Sequence, residues 1–169
     1  PHKNPKLPLK SYIGMKELDK NFNPINKPAI TINTGSKYSE DPRAFTSNNN
    51  LFLTYNDLTK TKNYCRTIRL AELNSKNFTL NYETDYDQHI QWIEKNWIPF
   101  NAIEHNKEIP HFIYQIIPHK ILKIADTREN RLEHLTFPNN PTLFSSKWTS
   151  KWGSPSGGTP ALYLDGEYL

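Results

Sequence analysis

Glu40, Asp41 and Arg43 gather around Pro42 in the stretch Ser39-Glu40-Asp41-Pro42-Arg43. Two carboxylates beside a guanidinium can supply a general acid whose proton affinity is set by its neighbours. The same side chains can equally form a charged surface turn closed by a salt bridge. Pro42 predicts an extended Asp41, because a proline disfavours helical backbone in the residue before it. A second polar pair, Lys95 and Asn96, precedes Trp97-Ile98-Pro99-Phe100. A lysine and an asparagine at the start of a strand can hold sugar hydroxyls or an anionic oxygen; the plain alternative is a solvated lysine beside a packed Trp97. A third stretch, Gly157-Gly158-Thr159-Pro160, puts Thr159 behind glycines that let a ligand or a neighbouring element approach closely. It is not a phosphate loop, since no Gly-Lys-Ser/Thr ending follows.

The elements that position these groups repeat along the chain. Asp41-Pro42-Arg43-Ala44-Phe45, Ile98-Pro99-Phe100-Asn101-Ala102 and Thr159-Pro160-Ala161-Leu162-Tyr163 share one layout: a proline opens a short apolar stretch, then a polar turn leads to a second strand. The prolines lie 57 and 61 residues apart, a period in the range of a propeller blade. Equivalent residues of successive blades surround one axis, so Asp41, Arg43, Lys95, Asn96 and Thr159 are expected to line one pocket. Arg66 joins them because it opens the strand after Tyr55.

Between these landmarks the pattern is that of short strands. Ala29 to Ile32, Leu51 to Tyr55, Thr67 to Leu73, Phe78 to Tyr82, His111 to Ile117, Ile121 to Ile124 and Leu132 to Phe137 are bounded by turn formers. Thr67 to Leu73 alternates polar with apolar, which predicts a strand wet on one face. No convincing amphipathic helix appears; Asp85 to Trp92 reads as a loop in preference to one helical turn, and Ser145 to Gly158 as a longer loop. The fold class expected is all-β, a partial β-propeller of about three blades over residues 21–169, behind an N-terminal arm or the end of a preceding element at 1–20. Tyr163-Leu164, Asp165-Gly166-Glu167 and Tyr168-Leu169 read as strand, turn and a strand just begun. Three blades cannot close a ring of four to eight, so the chain is expected to be part of a longer protein.

Composition narrows the function. The net charge of +4 comes from Lys and Arg scattered among Asp and Glu, without the basic block that tracks a phosphate backbone, so nucleic acid is not an expected partner. No run of about 18 apolar residues predicts a membrane span. The single cysteine, Cys65, precludes an internal disulfide and reads as a small packed residue. The six histidines lack metal-ligand spacing, so no metal is expected. Tyr82, Tyr86, Trp92, Trp148 and Trp152 are candidate sugar-stacking platforms or core aromatics.

Taken in order, Asn21-Phe22-Asn23-Pro24, Glu40-Asp41-Pro42-Arg43, Leu51 to Tyr55, Arg66 to Ala71, Lys95-Asn96-x-x-Pro99-Phe100 and Gly157 to Ala161 resemble the five-bladed propeller enzymes of glycoside hydrolase family 130. That group holds the β-mannoside phosphorylases and related β-1,2-mannosyltransferases. The resemblance implies a carbohydrate-active enzyme on mannosides or related glycans, working by glycosyl transfer, phosphorolysis or hydrolysis. It implies Asp41 as the general acid and Lys95 as a ligand of the anion or substrate, with a glycan or sugar phosphate as partner. No cofactor is implied beyond inorganic phosphate as a co-substrate. Family phosphorylases carry a basic residue after the strand that follows the Lys-Asn segment; here only His119 stands there, which weighs against phosphorolysis. The alternatives are a non-catalytic glycan-binding propeller, which needs stacking aromatics but not Asp41, and a protein-interaction propeller, which needs neither.

Overall fold

The computed structural model describes residues 9–58, 65–85, 95–116, 119–126 and 131–136, with 158, 161, 163–164 and 167–168. Every regular element among them is a strand: β1 (Gly14–Met15), β2 (Ile30–Thr31), β3 (Glu40–Ser47), β4 (Asn50–Leu58), β5 (Arg66–Leu73), β6 (Leu80–Asp85), β7 (Ile98–Glu104), β8 (Lys107–Gln115), β9 (Lys120–Asp126), β10 (Arg131–Thr136), β11 (Tyr163–Leu164) and β12 (Glu167–Tyr168). The all-β expectation therefore holds. β3 to β6 form one four-stranded antiparallel meander and β7 to β10 a second, while β1–β2 and β11–β12 are two-stranded ribbons. No closed sheet is present among the described residues.

Two of the three proline landmarks take the same place in these sheets. Pro42 lies near the start of β3 and Pro99 near the start of β7, the first strand of each meander. A proline cannot donate to a ladder, which confines it to strand starts, edges and bulges. Thr159 and Pro160, the third landmark, lie outside the described residues.

The meanders pack face to face. On β4 and β5, Phe52, Ile68 and Leu70 meet Phe112, Leu122 and Ile124 of the second sheet and Trp97, which stands just before β7. Trp97 is buried, its ring 5.6 Å from Phe112 and 5.7 Å from Tyr114, so it is core and not a stacking platform. The opposite face of the first sheet is covered as well. Leu53, Tyr55, Ala71 and Leu73 pack against Ile13 and Ile32, brought there by the β1–β2 ribbon.

That second cover corrects the reading of Thr67 to Leu73. The strand is buried on both sides, with Thr67 and Ala71 at 0% exposure, because its small and apolar residues meet the N-terminal ribbon where solvent was expected. The asparagines Asn48 and Asn49, both at positive φ, close the tight β3–β4 hairpin, as asparagine tolerates that region better than most residues. β8 runs from Lys107 to Gln115, earlier at both ends than expected, since His105 and Asn106 make the preceding two-residue turn with positive φ.

Candidate functional site

Register decides which of the polar residues share a surface. Glu40 pairs with Asn56 and Arg43 with Thr54, so β3 holds one residue more than β4 between those pairs, a β-bulge containing Asp41 and Pro42. Glu40, Arg43, Asn56 and Arg66 consequently fall on the face of the first sheet that carries Phe52 and Ile68, the face turned to the second sheet.

Asp41 departs from the extended form expected of it. Its φ is +52°, the left-handed region that aspartate visits more readily than most residues. The cause is the bulge: Pro42 has no N–H for the ladder, and the chain makes room by looping out one residue. The outcome is an exposed Asp41 carboxyl at the very start of β3, flanked by exposed Pro42.

Its neighbours are already engaged. Arg66, with 17% of its side chain exposed, ion-pairs with Glu40 at 2.8 Å. Its Nη1 also donates to Asn56 Oδ1 at 3.2 Å and to the Tyr38 carbonyl at 3.3 Å. Arg43 Nη1 donates to the carbonyl of Gly158, which ties Gly158 to β3. Each guanidinium thus has a partner within the protein and orders the ground around Asp41. Thr159 lies outside the described residues. The role of Glu40 as the counter-charge of Arg66 was missed in the sequence, where Arg43 looked the nearer partner. A bulge beside Pro42 is the signal that turns Glu40 toward β5.

Lys95 is exposed and Asn96 half-buried with φ +61°, immediately before β7. Their relation to Asp41 follows from how β7 lies against β3. Asn101 Nδ2 donates to the Thr46 carbonyl at 2.6 Å. Further along, Asn48 N donates to Glu108 Oε2 at 2.6 Å and Asn48 Nδ2 to the Glu108 carbonyl at 2.7 Å, and Glu108 is the register partner of Ile103. Contacts thus advance together along both strands, so β3 and β7 run in the same direction. Asp41 and the Lys95–Asn96 pair stand at the corresponding starts of adjacent first strands.

The segment entering β3 is pinned from beneath. Asp57, buried on the other face, accepts Ser36 Oγ at 2.5 Å and its neighbour Leu58 N at 2.8 Å, and meets Arg69 Nε at 3.1 Å. Thr34 and Ser39 hydroxyls share a 2.7 Å hydrogen bond. Together these bonds fix residues 34–39, the approach to Glu40 and Asp41.

A second ionisable cluster lies on the far face of the β7–β10 sheet. His111, 3% exposed, places Nδ1 2.8 Å from the Ile109 carbonyl and Nε2 3.6 Å from Glu104. Glu104 pairs with Lys123 on β9, whose hydrogen bond holds the carboxyl below its ordinary range despite partial desolvation, with further help from the charges of Lys123, His111 and His105. His119, half-buried, stands in the turn before β9. Among the described residues no group of three His, Cys, Asp or Glu side chains could hold a metal ion, and no helix is long and apolar enough to cross a membrane. The candidate aromatics Tyr86, Trp92, Trp148 and Trp152 lie outside the described residues, as does the side chain of Tyr82.

No family model matches the sequence, and neither a curated protein nor a solved structure matches the chain.

Proposed function

We propose that the chain belongs to a carbohydrate-active β-propeller that acts on mannosides or related glycans, with Asp41 as its general acid. One observation carries this reading: an exposed carboxyl held in left-handed backbone on a proline bulge, at the same end of the adjacent first strands as Lys95 and Asn96. In the reaction, Asp41 gives its proton to the departing glycosidic oxygen as the C–O bond breaks, and an acceptor hydroxyl, phosphate or water takes the anomeric carbon. Lys95 and Asn96 hold sugar hydroxyls or an anionic oxygen, while Arg43 and Arg66 position the walls through Gly158 and Glu40.

The test is Asp41→Asn, a substitution that keeps a side chain tolerant of positive φ and removes the transferable proton. A positioned general acid contributes about 10²–10⁴-fold to rate, so turnover should fall by that factor with glycan affinity retained. Full activity in the variant excludes Asp41 as the acid. A wild type that binds glycans yet turns over no glycoside, sugar phosphate or nucleotide sugar supports the glycan-binding propeller instead.

A further inference from the structure

Away from Asp41, the hairpin that spans residues 14–31 presents an unusual tip. Asp19 accepts backbone N–H groups from Asn21 at 2.8 Å and Asn23 at 2.9 Å, and these bonds, that of Asn23 first, hold its carboxyl below the ordinary range. The backbone adds Asp19 N to Asn23 O and Phe22 N to Asp19 O, and Leu18 bridges Pro24 across the stem. This bonding fixes a five-residue loop in order to hold Phe22 at φ +63° with 83% of its surface in water. Left-handed backbone is costly for a bulky aromatic, and an exposed phenyl ring gains nothing in the free protein. A rigid loop that carries an apolar knob is preorganised for insertion elsewhere.

Other exposed apolar side chains lie near it in the sequence. Of the six described large hydrophobics left exposed, all but Ile103 fall between residues 9 and 30: Leu9, Tyr12, Leu18, Phe22 and Ile30, interleaved with Lys10, Lys16, Lys20 and Lys27. At the base of the hairpin a cleft of about 320 Å³ opens between Met15, Ile30 and Phe78, rimmed by Lys27, Glu17 and Lys76. Both acidic groups of the hairpin are occupied, Asp19 on its amides and Glu17 on Lys27 at 2.8 Å. Among the described residues no carboxylate pairs with Lys16, Lys20 or Lys76. The surface is therefore apolar and cationic at once.

We propose that this hairpin and the cleft at its base dock on an anionic phospholipid bilayer. Phe22 and Leu18 enter the boundary between headgroups and acyl chains, the cleft takes up apolar chain, and Lys10, Lys20 and Lys76 face the lipid charge. Phenylalanine suits this occupant better than a sugar would suit it, because it has no polar edge to satisfy at a hydroxyl-rich ligand. Apolar insertion combined with basic residues is the two-part signal that peripheral membrane attachment needs.

The experiment is co-sedimentation of the full chain with phosphatidylcholine vesicles, with and without a quarter of phosphatidylserine, at low and high salt. Binding is expected on the anionic vesicles only, reduced by salt and unaffected by millimolar inorganic phosphate. Lys20→Glu and Lys76→Glu should each weaken it about fivefold or more, given the contribution of one basic residue near a charged leaflet. Phe22→Asn keeps the left-handed turn and removes the ring, and should weaken binding about tenfold, the scale of burying one aromatic side chain. Equal binding to neutral vesicles, displacement by phosphate, no binding at all, or an unaffected Phe22→Asn protein overturns the proposal. Circular dichroism of each variant separates loss of the surface from loss of the fold.

Discussion

Removing either partner of the Asp57–Arg69 pair should destabilise the protein unequally, and the inequality can be worked from burial. Asp57 has 3% of its side chain exposed and Arg69 has 25%. Arg69→Met strands a buried carboxylate, the situation that costs about 3–5 kcal/mol, offset in part by the bonds Asp57 keeps from Ser36 and Leu58. Asp57→Ala leaves behind a guanidinium that water already reaches, so the charge penalty shrinks. It also releases the Ser36 hydroxyl and the Leu58 amide, each worth about 1 kcal/mol. We expect about 3 kcal/mol for Arg69→Met and about 2 kcal/mol for Asp57→Ala. The double variant should cost less than the two together, with a coupling of about 0.5–3 kcal/mol. Urea unfolding at neutral pH, followed by tryptophan fluorescence, gives all four corners of the cycle. Additive losses, or an Asp57→Ala loss clearly above that of Arg69→Met, would refute the reasoning that burial of the remaining charge sets the cost.

Two further outcomes follow from named groups. Glu104 is held below its ordinary value of 4.5, so the folded state favours its ionised form; that stability is complete above the ordinary value and lost as pH falls through the lowered folded value. Glu104→Gln should therefore flatten the acid side of the stability profile while leaving the rest of the curve in parallel with wild type, and an unchanged acid slope in urea titrations would count against it. At Asp41 the left-handed backbone makes Asp41→Gly nearly neutral, whereas a β-branched Asp41→Val should cost about 1–3 kcal/mol. Equal melting temperatures for the glycine and valine variants would show that the bulge is not what holds Asp41.

The strand pattern was legible because the physics behind it is local. Turn formers such as Asn48 and Asn49 mark hairpins whatever lies around them, and β-branched and aromatic runs such as Leu51 to Tyr55 read as strand in any context. Proline was the most useful single residue, since its missing donor confines Pro42 and Pro99 to the same place in successive sheets. What could not be read was the environment of each face. Alternation along Thr67 to Leu73 reports two chemically different faces, but it cannot say that Ile13 and Ile32 return to cover the second one. That contact joins residues far apart in sequence and is decided by the β1–β2 ribbon.

The site divides along the same line. Residue types and their order pointed to Asp41, Lys95 and Asn96, and the parallel advance of β3 and β7 gives those positions corresponding places. The partners of the arginines were not legible, because nearness in sequence does not decide charge pairing. Arg43 stands two residues from Asp41, yet the bulge turns it to Gly158, and the carboxylate of Glu40 goes to Arg66 across two strands. Each redirection follows from one cause, the extra residue that Pro42 forces into β3. That residue lifts Asp41 off the ladder into solvent, and its two arginine neighbours, tied to backbone and to Glu40, hold the bulge through those partners and not through the carboxyl that the proposed chemistry requires.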